Sequence, residues 1–87
     1  MIILSSTRFD KEVGKLPLKV YRAYLERLHI FIREPYHSLL NNHALTGSYR
    51  GYRSINITGN YRAIFELINE DTIRFIRIGE LMKEIGA

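Results

Sequence analysis

Apolar residues in the first third of this chain recur every three or four positions, whereas in its second half they alternate. That change of period divides the sequence into helical and extended parts. The apolar run Ile2, Ile3 and Leu4 before Ser5-Ser6 predicts a short buried first strand. Thr7, with Asp10 three residues on, reads as a capping-box-like helix start with a shorter acid than usual. Phe9 and Val13 then stack one turn apart, and Gly14 closes the helix. Pro17 suits the first turn of a second helix, where its missing N–H goes unused. Leu18, Tyr21, Leu25, Leu28 and Ile32 form one stripe along it, with Lys19, Arg22, Glu26, His29 and Arg33 opposite. Glu34 ends this helix, because Pro35 pushes it out of the helical region.

Residues 36–45 have no period and read as a loop. Beyond Gly47, Ile55 and Ile57 share one side of a strand, and Tyr52, Ser54 and Asn56 the other. Thr58-Gly59-Asn60 reads as a hairpin turn. Tyr61, Ala63, Phe65 and Leu67 then share one face of the next strand, and Arg62, Ile64, Glu66 and Ile68 the other. Asn69-Glu70-Asp71 turns again into a last strand over 72–78, and 80–85 has room for one or two helical turns. With no repeats, linkers or low-complexity segments, residues 1–87 make a single domain. Its predicted class is α+β: two N-terminal helices packed on one face of a small, largely antiparallel four-stranded sheet, ordered β-α-α-β-β-β with a short helical tail. The second sheet face is left open. Arg62 points into it beside Tyr52, Ser54 and Asn56.

Charge adds a function to that face. The chain carries a net charge of +4 with a pI near 9.6, which favours an anionic partner, either nucleic acid or an acidic protein. No acid occurs between Glu34 and Glu66, an interval holding Arg50, Arg53, Arg62, Tyr49, Tyr52 and Tyr61. Arginines that never lose their charge, interleaved with aromatic rings, suit a phosphate backbone and unstacked bases. Arg53 shares its face with Ile55 and Ile57 and reads equally as a side chain snorkelling from the core edge. Tyr61 shares its face with Phe65 and reads equally as core. Three scattered histidines without neighbouring acids make no metal site, and Gly47, Gly51 and Gly59 are turn glycines rather than a nucleotide loop. His29 lies on the polar side of the second helix, and His37 reads as structural. The absence of cysteine, of a basic leader and of a long apolar run predicts a cytoplasmic protein with no membrane segment and no cofactor.

The run HALTGSYRGYRSINITGNYRAIFEL (43–67), followed by DTIRFIRIG (71–79), resembles the RelE/ParE toxin superfamily, and within it the YafQ-like and RelE/StbE mRNA interferases of bacterial toxin–antitoxin modules. The segment LPLKVYRAYLERLHIFIREPYHSLLNNH (16–43) is similar to that family's second helix and loop. The resemblance implies the same α+β fold, a cognate antitoxin as partner, and metal-independent cleavage of mRNA on the ribosome. His43 matches a histidine ahead of an L-x-G motif that is implicated in the active site, here Leu45-Thr46-Gly47. Arg62 matches a strand arginine that binds the scissile phosphate, and Arg77 a further site arginine. Arg50, Tyr52, Arg53, Asn56 and Tyr61 complete the expected RNA-binding set. Three positions depart from the pattern. Asn56 and Asn60 stand where YafQ-like toxins carry histidine and aspartate, and Ile78-Gly79-Glu80-Leu81 replaces I-G-T-H with its following aromatic. Cleavage needs a proton acceptor, a cation for the phosphate and a proton donor to the leaving oxygen. His43 is then the one family-matched proton carrier, which implies weakened catalysis. Two alternatives follow: a non-catalytic relative that binds antitoxin or ribosome, and a ParE-like inhibitor of gyrase.

Overall fold

The computed structural model describes residues 1–81. A five-stranded sheet has β1 (Ile2–Ser5), β2 (His43–Ala44), β3 (Arg53–Asn56), β4 (Arg62–Asn69) and β5 (Thr72–Gly79) in the order β1-β5-β4-β3-β2. β1 runs parallel to β5, and every other pairing is antiparallel. Two helices, α1 (Thr7–Val13) and α2 (Leu18–Arg33), complete the α+β fold. The extra strand, β2, lies inside the segment expected to be loop. A two-residue strand is too short to show a period, so only its pairing with β3 reveals it.

One face of the sheet holds the main core. Phe9 of α1 stacks on Phe75 with ring centroids 5.1 Å apart, and Phe31 of α2 meets Phe65 edge-on at 5.1 Å. Ile55, Ile57, Ala63, Ile73 and Ile78 fill the space around these rings. Burying one such aromatic is worth about 1.5–3 kcal/mol, so four phenylalanines anchor both helices to the strands.

Three expectations change here. The cap of α1 is Ser6, not Thr7: Ser6 Oγ accepts from the Phe9 N–H at 3.0 Å and donates to the Ile76 carbonyl at 3.1 Å. The first helical turn is thereby tied to β5. β1 is an edge strand rather than a buried one, leaving Ile2 57% and Leu4 40% exposed. On α2 the buried residues are Val20 and Phe31, supported by Ala23, Tyr24, Leu28 and Ile30, while Leu18, Tyr21, Leu25 and Ile32 of the expected stripe are exposed. This helix is apolar around most of its circumference, so periodicity alone admits more than one stripe. Ring packing of Phe31 on Phe65 and Phe75 selects the one that turns inward.

The second face is not open. Leu45, Ile64 and Leu81 are buried there, with Tyr49, Tyr52 and Ile76 half-buried against them. A register shift in the β4–β5 pairing sets it up: Ile64 opposes Arg77 while Phe65 opposes Phe75, leaving Ile76 as the extra residue of a bulge. The tail expected to be helical over 80–85 falls largely outside the described residues. Glu80 and Leu81, which are described, are not helical. No described helix is long and apolar enough to cross a membrane.

Candidate functional site

Residues directly opposite across a sheet share a face. The registers His43 to Ser54, Ser54 to Ile64 and Ile64 to Arg77 therefore draw one line across β2, β3, β4 and β5. Beside it, Asn56 opposes Arg62, which lies two residues from Ile64 on the same side of β4. Four of the residues expected from sequence, His43, Asn56, Arg62 and Arg77, are thus brought to one face. At about 4.8 Å per strand, the two ends of the line lie roughly 14 Å apart, with Arg62's strand between them.

His43 Nδ1 lies 2.8 Å from the Asn41 carbonyl, which can only accept, so the contact places a proton on Nδ1. In the neutral ring, Nε2 then carries the free lone pair. Asn41 presents that carbonyl from a left-handed backbone conformation, φ 44°, which asparagine tolerates better than most residues. The loop therefore sets the tautomer a general base requires.

Arg62 is only 8% exposed, and its Nη1 donates to the Thr58 carbonyl at 3.3 Å. A guanidinium has five N–H donors. Nε is buried without a partner among the described residues, and so are Ser54 Oγ and Asn56 Oδ1 on the same face. No carboxylate pairs with Arg62 among those residues. Leaving a buried polar atom unsatisfied costs about 1–3 kcal/mol, so three on one sheet face without a partner among the described residues make that face a candidate place for a polar ligand.

Arg77 is built differently. Its Nε donates to both carboxylate oxygens of Glu12 at 3.1 Å, and its Nη1 donates to the Tyr49 hydroxyl at 2.9 Å. Glu12 also accepts from the Ile78 N–H at 3.2 Å. Burial lowers the Arg77 pKa, but hydrogen bonding and charge from Glu12, with Tyr49, outweigh that and hold it above the usual arginine value. Its charge is largely spent on Glu12, which distinguishes it from Arg62, for which no carboxylate partner occurs among the described residues.

Of the remaining expected residues, Tyr52 stays on this face against Leu45, Ile64 and Leu81, and others leave it. Tyr52 packs edge-on to Tyr49 with centroids 6.2 Å apart, and Arg50 is exposed at the end of the same segment. Arg53 opposes Phe65, on the helix side of the sheet. There its Nε donates to Asn42 Oδ1 at 2.8 Å, and its guanidinium lies 5.5 Å from the Tyr36 ring centre. Tyr61 packs half-buried against the main core. Desolvation first, then the charge and hydrogen bonding of Glu80, raise its pKa. Neither Arg53 nor Tyr61 joins the others. His29 is exposed, and His37 Nδ1 accepts from the Leu39 N–H at 3.1 Å, opening the short 3-10 turn Ser38–Leu40. No group of three or more potential metal ligands occurs among the described residues. An apolar cavity of about 420 Å³ between Phe31, Tyr36, Phe65 and Ile73 belongs to the helix side and holds none of these groups.

Glu12, Tyr49 and Ser54 carry no signal of these roles in sequence, because each depends on contacts between distant segments. Only the regular alternation placing Ser54 beside Asn56 hinted at one of them. Leu81, where the resembled family carries histidine, is 3% exposed and closes the second apolar cluster.

No family model matches the chain, and no curated protein matches it. Solved structures do. YafQ from E. coli strain BL21(DE3) superposes with a TM-score of 0.75 and 26% identity over 97% of both chains. The E. coli DinJ-YafQ toxin-antitoxin complex contains a chain similar at 26% identity and a TM-score of 0.66, covering 93% of this chain and 92% of that one. The toxin-antitoxin complex RelBE2 from Mycobacterium tuberculosis matches in fold, with a TM-score of 0.73 and 22% identity over 91% of this chain and 95% of that one.

Proposed function

We propose that this chain, a member of the RelE/ParE toxin superfamily, is the toxin of a type II toxin–antitoxin module and cleaves mRNA on the ribosome. The observation that carries the reading is the buried trio of Arg62 Nε, Ser54 Oγ and Asn56 Oδ1, unpartnered among the described residues, on the face that also bears His43. Arg62 offers donors and a full positive charge to the scissile phosphate, and Ser54 adds a neutral donor. His43 Nε2 accepts the proton of the attacking 2′-hydroxyl. Asn56, where histidine stands in YafQ-like relatives, has an acceptor but no titratable proton, so it orients rather than transfers. A cognate antitoxin is the proposed protein partner, by analogy with the DinJ-YafQ complex.

The test is cleavage of A-site mRNA on programmed ribosomes by wild type, Arg62→Ala and His43→Ala. Each variant is expected to be slower by about a hundredfold to ten-thousandfold. Cleavage by wild type that neither substitution slows would remove these residues from the site. A second reading, binding without cleavage, is favoured by Leu81, whose apolar side chain replaces a proton carrier. It predicts ribosome binding that depends on Arg62 with no cut at any enzyme concentration. Unperturbed translation beside inhibited DNA supercoiling would instead favour the gyrase branch.

A further inference from the structure

The face that holds His43 and Arg62 includes a proton acceptor and a cation, and the proposed cleavage also needs a proton donor to the leaving oxygen. We propose that the Tyr49 hydroxyl is that donor, an assignment that rests on the ribonuclease reading above.

Tyr49 ends a 3-10 turn, Gly47–Tyr49, between two glycines held at positive φ, Gly47 at 67° and Gly51 at 96°. That conformation, readily reached by glycine, folds the segment back over the sheet, and the ring packs with Leu45, Ile64 and Leu81. Its oxygen accepts from Arg77 Nη1 at 2.9 Å. A guanidinium has no acceptor, so the phenolic proton is directed elsewhere. Arg77 is held by the two 3.1 Å contacts to Glu12, so its donor stays in place when charge develops on the Tyr49 oxygen. Phenol is a poor acid alone. The Arg77 Nη1 donor is already bonded to its oxygen and keeps that hydrogen bond as the proton leaves.

The placement fits the displacement. His43 stands on β2 and Arg77 on β5, with Arg62 on β4 between them. An attacking oxygen near His43 and a leaving oxygen near Tyr49 then flank a phosphate held by Arg62. The 2′-oxygen bonds to phosphorus as its proton passes to His43 Nε2. The bond from phosphorus to the 5′-oxygen breaks, and that oxygen takes the Tyr49 proton. The products are a 2′,3′-cyclic phosphate and a 5′-hydroxyl. Proton exchange with solvent returns His43 to neutral imidazole and Tyr49 to phenol, so no further reactant is needed.

The experiment compares wild type with Tyr49→Phe, which keeps the ring and its packing. Programmed ribosomes carry either ordinary mRNA or mRNA with sulfur in place of the bridging 5′-oxygen at the cut linkage. A thiolate leaves without a proton, so loss of a proton donor harms the oxygen substrate alone. Tyr49→Phe is expected to slow cleavage of the oxygen substrate by about a hundredfold or more and to cut the sulfur substrate at nearly the wild-type rate. Equal slowing on both substrates would overturn the proton-donor role in favour of a structural one. Wild-type rates on both would also overturn it, leaving the ribonuclease reading intact. If wild type cuts neither substrate, the ribonuclease reading falls, and this assignment with it.

Discussion

At the scale of single residues, the ion pairs of two β5 arginines, Arg77 and Arg74, differ in structure. Glu12 and Arg77 keep 23% and 10% of their side-chain exposure, and Glu12 also serves the Ile78 N–H. Glu66 and Arg74 meet at 2.8 Å but keep 27% and 43%. Removing one partner of a buried pair strands the other charge, at about 3–5 kcal/mol for full burial. Glu12→Ala is therefore expected to cost on the order of 2–4 kcal/mol, and Glu66→Ala under about 1 kcal/mol. Denaturant unfolding measures both, and equal losses would remove the distinction. Tyrosine protons give an independent check. Burial first, then the neighbouring charges of Tyr21 and Asp10, raise the Tyr24 pKa above its usual value of 10.0. The folded protein thus holds this proton at a pH where the unfolded chain has released it. Stability from Tyr24 is fully present below pH 10 and is lost as pH climbs through the raised value. Tyr24→Phe is expected to remove one phenolate absorbance that titrates above pH 10.0 and to flatten the alkaline fall in stability. An unchanged titration curve would count against the burial of this hydroxyl.

At the scale of elements, the strands were more legible than the helices. Alternation assigned Ala63 and Phe65 to the core face and Arg62 and Ile64 to the other, as the registers have it, because a period of two leaves just two choices. A helix whose apolar residues surround most of its axis leaves several, and there all of the expected stripe but Leu28 turned outward. The contrast yields a direct measurement. Phe31→Ala is expected to cost about 3–5 kcal/mol, whereas Leu25→Ala, at a residue 45% exposed, should stay within about 0.5 kcal/mol. A reversal of that order would restore the sequence-derived stripe. The candidate site was legible to the same extent as the strands. Arg62 and Asn56 could be placed by alternation, and His43 through its likeness to known toxins. The Glu12–Arg77–Tyr49 chain joins residues 65 and 28 positions apart, and no local pattern records such a contact.

At the scale of the whole molecule, the net charge of +4 is less informative than where charge remains uncompensated. Arg77 is answered by Glu12 and Arg74 by Glu66, while Arg53 is turned to the helix side and bonded to Asn42. On the segment from Pro35 to Phe65, which contains no acid, Arg62 and Arg50 remain as cations for which no carboxylate pairing occurs among the described residues. A cation that neutralises a phosphate on a single strand releases a counterion and adds about 0.7 to the slope of log affinity against log salt. Wild-type binding to a single-stranded RNA oligonucleotide is therefore expected to weaken steeply from 50 to 200 mM salt. Arg62→Ala and Arg50→Ala should each reduce the slope by about 0.7, and Arg74→Ala, whose charge is already paired, should leave it unchanged. Titrations across that range separate binding by this face from attraction by overall charge, because all three substitutions remove one positive charge. If the three slopes fall equally, net charge alone draws the RNA and the face has no special part in it. If wild type responds to salt with no slope at all, phosphate contact is not how this protein meets its partner.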